Sequence, residues 1–153
     1  MTTPPPGEPP PLHAHGHRLL QLGALLFLLG LLVGFVVPLL TNPRMGLASH
    51  LEGLLNGMFL IVLGLLWPRL LLGARAASWL FWLAGYGTFA NWAATLLAGF
   101  WGAGTRMPLA AGAHHGTSSQ ELAIDVLLVT LSVAIVAASV LVLWGLRRRP
   151  SAP

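Results

Sequence analysis

The residues of this sequence that could do chemistry are few, and three of them fall in one short stretch: His50, Glu52 and Asn56. An imidazole can ligate a transition metal or a haem iron. A carboxylate and a carboxamide four residues apart share a helix face, where they can orient a polar substrate or move a proton. Glu52 also has an ordinary explanation, because a carboxylate near a helix start sits at the membrane surface and favours the helix dipole. Farther along, Thr88, Asn91 and Thr95 share one helix face, with Tyr86, Trp79 and Trp82 near the other. Threonine hydroxyls bond their own helix carbonyls and so say little. Asn91 has no such partner and needs one across a helix boundary. Tyr86 can be a packing aromatic, an interfacial phenol or a proton donor.

Around His50 the helix is bare. At 100° per residue, Gly46, His50, Gly53, Gly57 and Gly64 fall within roughly 60° of one another. One reading is a close-packing surface for a neighbouring helix, with His50 hydrogen-bonded across the contact. The other is a flat cofactor lying on Gly53 and Gly57 while His50 ligates its metal. The two are compatible if the cofactor lies between subunits. His13, His15 and His17 could bind a metal in an extended chain but read as a solvated tail, and His114 and His115 fall in a flexible glycine-rich loop. Asp125 is expected to pair with Arg106 or Arg44 as a structural contact.

These residues need helices to hold them, and the chain has four. Of 153 residues 56% are hydrophobic and 8% charged, more apolar surface than one soluble core of this size can hide. The net charge of +4 comes from arginines in tails or near helix ends, with no lysine, so it marks membrane topology rather than a nucleic-acid surface. The absence of cysteine excludes disulfides, thiolate metal sites and covalent c-type haem. Residues 1–17 form a Pro/His-rich arm expected to be disordered. Residues 18–149 form one all-α membrane domain, with helices predicted at about 19–40, 47–67, 76–101 and 121–146, followed by a tail at 150–153. Short connections predict an up-down-up-down four-helix bundle. Arg18, Arg69, Arg75 and Arg147 to Arg149 fall on one side, against Arg44 and Arg106 on the other, so both termini are expected in the cytoplasm.

Two segments, Asn42-Pro43-Arg44-Met45-Gly46-Leu47-Ala48-Ser49-His50-Leu51-Glu52-Gly53-Leu54-Leu55-Asn56-Gly57 and Tyr86-Gly87-Thr88-Phe89-Ala90-Asn91-Trp92, resemble the hydroxylaminobenzene mutases. The resemblance runs from about Arg18 to Leu146, and extends more distantly to the styrene oxide isomerases. The latter are four-helix membrane proteins that assemble as trimers with haem b at subunit interfaces. Their haem-ligating histidine is followed six residues later by an active-site asparagine, a spacing His50 and Asn56 reproduce.

The resemblance implies a multi-pass protein of a bacterial inner membrane that isomerises a small aromatic substrate, an arylhydroxylamine, to an ortho-aminophenol. It implies haem b held by His50, with Asn56, Asn91 or Tyr86, and Glu52 as catalytic candidates. Gly53 and Gly57 would lie against the haem, with Arg44 or Arg106 beside its propionates. The remaining readings are an aryl epoxide isomerase, a non-enzymatic b-type cytochrome and a helical protein with no cofactor.

Overall fold

The structure, a computed structural model, describes residues 11–147. It contains four long helices, α1 (Pro11–Val36), α2 (Pro43–Leu66), α3 (Ala74–Trp101) and α5 (Ser118–Gly145), and a single turn, α4 (Pro108–Ala111). No strand occurs among the described residues. Short 3₁₀ turns at Val37–Leu39 and Trp67–Arg69 follow α1 and α2 and contain Pro38 and Pro68. Proline lacks the N–H that would continue an α-helix.

The helix starts differ from the sequence expectation in ways the caps explain. Asn42 and Pro43, ahead of the helix expected at about 47–67, are the cap and first residue of α2. The Asn42 Oδ1 accepts the backbone N–H groups of Arg44 and Met45 at 3.1 and 3.3 Å, and the fixed φ of Pro43 suits a first helical position. Helix α5 starts at Ser118 because Thr117 and Gln120 form a reciprocal capping box. Helix α1 starts at Pro11 rather than near Leu19, so residues 11–17, expected in a disordered arm, are its first turns. These turns have something to pack on. The His15 ring stacks on Phe81 with centroids 4.7 Å apart and meets Trp67 edge-on, while His17 is exposed. The rest of the arm, Arg148, Arg149 and the tail lie outside the described residues.

Each long helix packs on the one before it: α1 on α2, α2 on α3 and α3 on α5, with a lesser contact between α1 and α3. Helices α1 and α5 do not pack along each other. At one end His15 meets Phe81 and the Leu71 N–H donates to the Gly145 carbonyl at 2.7 Å. At the other, the Asn42 N–H donates to the Gly99 carbonyl at 3.0 Å. The described chain therefore begins and ends at the same end of the molecule.

Helices α1, α2 and α5 are long and apolar enough to cross a membrane. Large apolar side chains, among them Leu32, Phe35, Leu55, Leu65, Val133 and Leu143, stand exposed around them. Helix α3 is not one of the three, and it carries the polar Ser78, Tyr86, Thr88, Asn91 and Thr95.

The loop joining α3 to α5, expected to be flexible, is pinned at several points. The Glu121 carboxylate accepts the backbone N–H groups of Gly104, Thr105 and Gly116 at 2.9 to 3.1 Å. The Asn42 amide donates to the carbonyls of Ala110 and Ala111. Gly102, at φ 71°, closes α3 in the left-handed conformation that glycine adopts without strain.

Candidate active site

The bare face of α2 is filled by α1. A methyl group added at Gly23 would lie 2.7 Å from the Gly57 carbonyl oxygen, and one at Gly57 would lie 2.7 Å from the Phe27 backbone nitrogen. One added at Gly53 would collide with the Gly30 Cα. Glycines on both helices let the two backbones touch. The helix-packing reading of this face is the one seen within the chain, where the surface of Gly53 and Gly57 is covered by α1.

His50 closes the end of this interface. Its Nδ1 lies 2.8 Å from the Gly30 carbonyl oxygen, which can only accept, so Nδ1 carries the proton and donates. That hydrogen bond sets the tautomer and leaves Nε2 with the lone pair. The ring lies against Gly34, where an added methyl would sit 3.0 Å from Nδ1. On its other side the half-buried imidazole joins Leu28, Leu31, Leu32, Phe35 and Leu47 in lining a groove of about 640 Å³. That volume lies within the range of small-molecule and cofactor sites.

A histidine whose one nitrogen is tied to a backbone carbonyl is the usual form of a metal-ligating imidazole. Among the described residues no three His, Asp or Glu side chains gather as ligands, so a bare metal ion has no ready cage. A haem carries its own ring nitrogens and asks the protein for an axial one. One free imidazole nitrogen at the wall of an apolar groove fits that requirement.

The next face of α2 is polar. The Asn56 Nδ2 donates to Glu52 Oε2 at 3.0 Å, and the Asn91 Nδ2 of α3 donates to the same oxygen at 2.6 Å. All three side chains are half-buried. The pairing of Glu52 with Asn56 and the need of Asn91 for a partner on another helix are both met here. His50 and Asn56 lie six residues apart, which places them about 120° apart around α2. The groove and the cluster therefore open on different sides of the helix.

The other expected site residues lie elsewhere. The Tyr86 hydroxyl pairs with Thr130 Oγ1 of α5 at 2.6 Å, so of the two helix-three candidates only Asn91 joins the Glu52 cluster. Arg106 meets Asp125 at 2.9 Å on the flank of α5, as the structural pairing anticipated, and is not beside the His50 groove. Arg44 is exposed one turn before Leu47 and lines a separate cavity with Asn42 and His114. His114 is exposed and bonds the Ala111 carbonyl through Nδ1 at 3.2 Å, and His115 is exposed.

Two contributors were not anticipated. Gly30 and Gly34 on α1 position His50, and their signal is in the sequence: Gly16, Gly23 and Gly30 recur every seventh residue, a stripe that matches Gly64, Gly57 and Gly53 on α2. Trp92 is the second. Its backbone carbonyl accepts from Ser49 Oγ at 3.2 Å, its ring edge lies beside Gly53, and its indole N–H is buried without a partner among the described residues. Nothing in residue spacing singles it out from the other tryptophans.

A sequence model of the family described as styrene oxide isomerase matches residues 15–147. The chain is similar to hydroxylaminobenzene mutase HabB of Ectopseudomonas oleovorans, with 57% identity over 152 residues that cover 99% of this chain and 91% of the relative. It is 48% identical to hydroxylaminobenzene mutase HabA of the same organism over 127 residues, 82% of this chain and 94% of that one. No solved structure matches it.

Proposed function

The chain belongs to the styrene oxide isomerase family and is an isomerase of the mutase kind, and on that premise we propose that it converts arylhydroxylamines such as hydroxylaminobenzene to 2-aminophenols. The observation that carries the substrate assignment is the 57% identity with a hydroxylaminobenzene mutase over almost the whole chain. The mutase relatives favour an enzyme over the electron-carrier reading and over a structural or transport role.

The reaction moves one oxygen and keeps every atom. The N–O bond breaks, a C–O bond forms at the ortho ring carbon, that carbon gives up its proton, and nitrogen takes one up. Haem b on His50 would supply a ferric Lewis acid for the hydroxylamine oxygen. His50 Nε2 would hold the iron, and Leu28, Leu31, Leu32 and Phe35 would form the walls around the group. Arg44, at the surface end of α2, is the nearer candidate for the propionates. The chain's own part is to exclude water and to direct atoms. Apolar walls keep bulk water from an electron-poor ring, so the oxygen is returned rather than exchanged. Asn56 and Asn91 orient the hydroxylamine, and Glu52 receives the ring proton.

His50 and Asn56 open on different sides of α2, which supports a homo-oligomer in which one copy's groove meets another copy's polar cluster. By resemblance the count is three. All four long helices cross a bacterial inner membrane in this reading, up-down-up-down as a four-helix bundle. Both termini are cytoplasmic, with Arg18, Arg69, Arg75 and Arg147 at the inner end.

Purified protein tests the proposal directly. A Soret band, formation of 2-aminophenol from phenylhydroxylamine, and loss of both in His50→Ala are expected. Full turnover by His50→Ala protein overturns the role of the histidine. The description of the family favours a second reading, isomerisation of an aryl epoxide, and styrene oxide belongs in the same assay. Conversion of the epoxide alone would replace the mutase assignment.

A further inference from the structure

The Glu52 cluster contains a directional choice. An asparagine side chain has an accepting end and a donating end of nearly the same shape, and a half-turn of the amide exchanges them. Neither Asn56 nor Asn91 has that freedom. Both place Nδ2 on one oxygen of Glu52, at 3.0 and 2.6 Å. An ionised carboxylate has no hydrogen to give, so an amide beside it must present nitrogen, and its carbonyl oxygen then turns away. Two amides from two helices are set in this way by one residue. Asn56 comes from α2 and Asn91 from α3, 35 positions later in the chain. Among the described residues, neither Oδ1 has a hydrogen-bond donor. The cluster thus holds two unengaged acceptors beside a carboxylate.

We propose that Glu52 is the specificity-determining residue of this site: by fixing both amides with their oxygens outward, it selects substrates that donate hydrogen bonds and rejects those that only accept. This rests on the proposed reading of the site as an isomerase for arylhydroxylamines. The –NH–OH group donates twice, once from nitrogen and once from oxygen, and satisfies both asparagine oxygens. Its hydroxyl oxygen keeps its lone pairs for the acid that weakens the N–O bond. An aryl epoxide has one oxygen and no hydrogen to donate. It would leave both acceptors unsatisfied, and a site built to bond a donor rejects an analogue lacking it by far more than a lost methylene would. Glu52 acts in this respect through the two asparagines, as a positioning residue. The role is additional to receiving a proton.

Glu52→Gln removes the proton acceptor and the orienting charge together, so turnover is read beside a binding preference that proton transfer does not move. Glutamine keeps the size of the side chain but can both give and accept, so the amides are released to flip. The full chain, wild type and E52Q, is assayed with phenylhydroxylamine and with styrene oxide, with haem content and thermal unfolding recorded on the same samples. Wild type is expected to prefer phenylhydroxylamine by on the order of 10,000-fold in kcat/KM. In E52Q that preference should fall at least about tenfold, with haem content unchanged. Glu52→Asp, which keeps the charge, should retain more of it. An unchanged preference ratio in E52Q overturns the proposal, whether or not both rates fall together.

Binding supplies a readout independent of turnover: 2-aminophenol, a donor, against 1,2-dimethoxybenzene, an acceptor of similar shape. Wild type should favour the first and E52Q should lose the distinction. If phenylhydroxylamine is not converted but this binding preference and its loss are seen, the mutase assignment fails and the role of Glu52 stands. Should E52Q not fold, Asn91→Leu removes one of the two acceptors while leaving the Glu52–Asn56 pair. The preference must fall there too, and an unchanged preference overturns the proposal.

Discussion

The two faces of α2 hold their partners by opposite means. Toward α1 the helix offers glycine, and backbone meets backbone closely enough that a methyl group at Gly57 would lie 2.7 Å from the Phe27 nitrogen. Toward α3, near the middle of the span, it offers Glu52 and Asn56, and the join is made by side-chain hydrogen bonds. The first kind of contact is rigid and indifferent to chemistry, and the single imidazole at its edge is held by the same backbone through Gly30. The second is directional, because the carboxylate dictates which end of each amide faces out. One face fixes position and the other fixes polarity.

The difference can be broken experimentally, most severely at His50. His50→Ala should abolish haem absorption and 2-aminophenol formation while leaving the α1–α2 contact intact, so the protein should still unfold near the wild-type temperature. A large drop in that temperature would mean that the histidine is structural. On the same face, Gly57→Leu should destabilise by about 1–3 kcal/mol or more through overpacking, read as a lower Tm in detergent. Wild-type stability there would mean that α1 does not lie where the glycines place it.

The polar face should answer in the other currency. Asn56→Ala is expected to cut kcat/KM by about 10- to 100-fold, the cost of about one directed hydrogen bond, and to move Tm little. The smallest effect belongs outside both faces. Tyr86→Phe loses one hydrogen bond to Thr130, worth about 1 kcal/mol, and should leave turnover within about twofold. A large loss of activity in Tyr86→Phe would return the tyrosine to the catalytic set and blur the contrast.

The four long helices were legible because their apolar runs are long and their breaks fall at proline. Their starts were less so. Asn42-Pro43 suits a turn and a helix cap equally, so α2 begins four residues before the expected start near Leu47, where the Asn42 side chain accepts from Arg44 and Met45. The early start of α1 depends on His15 finding Phe81, a contact between residues 66 positions apart that no local pattern announces. Glu52, Asn56 and Asn91 were legible as a need for partners, because an amide in a membrane helix must be satisfied. That Asn91 rather than Tyr86 meets Glu52 was not, since both lie on α3 and the choice rests on how that helix is rotated. The glycines of α1 carry no chemistry of their own, and their part shows only when they are matched against those of α2, because a close contact needs small residues on both sides.

The order of packing, in which each long helix rests on its predecessor and α1 and α5 do not pack along each other, bears on how the protein is made. A chain emerging from the ribosome can complete each helical hairpin as its second arm arrives, and no helix waits in the bilayer for a partner synthesised last. The glycine-matched pair α1–α2 can therefore assemble first and present the Glu52 face to α3. The loop clasped by Glu121 closes only when α5 begins. Truncation after α2 should leave an insertable hairpin, whereas loss of α1 would strip the glycine face of its cover before any later helix exists to replace it.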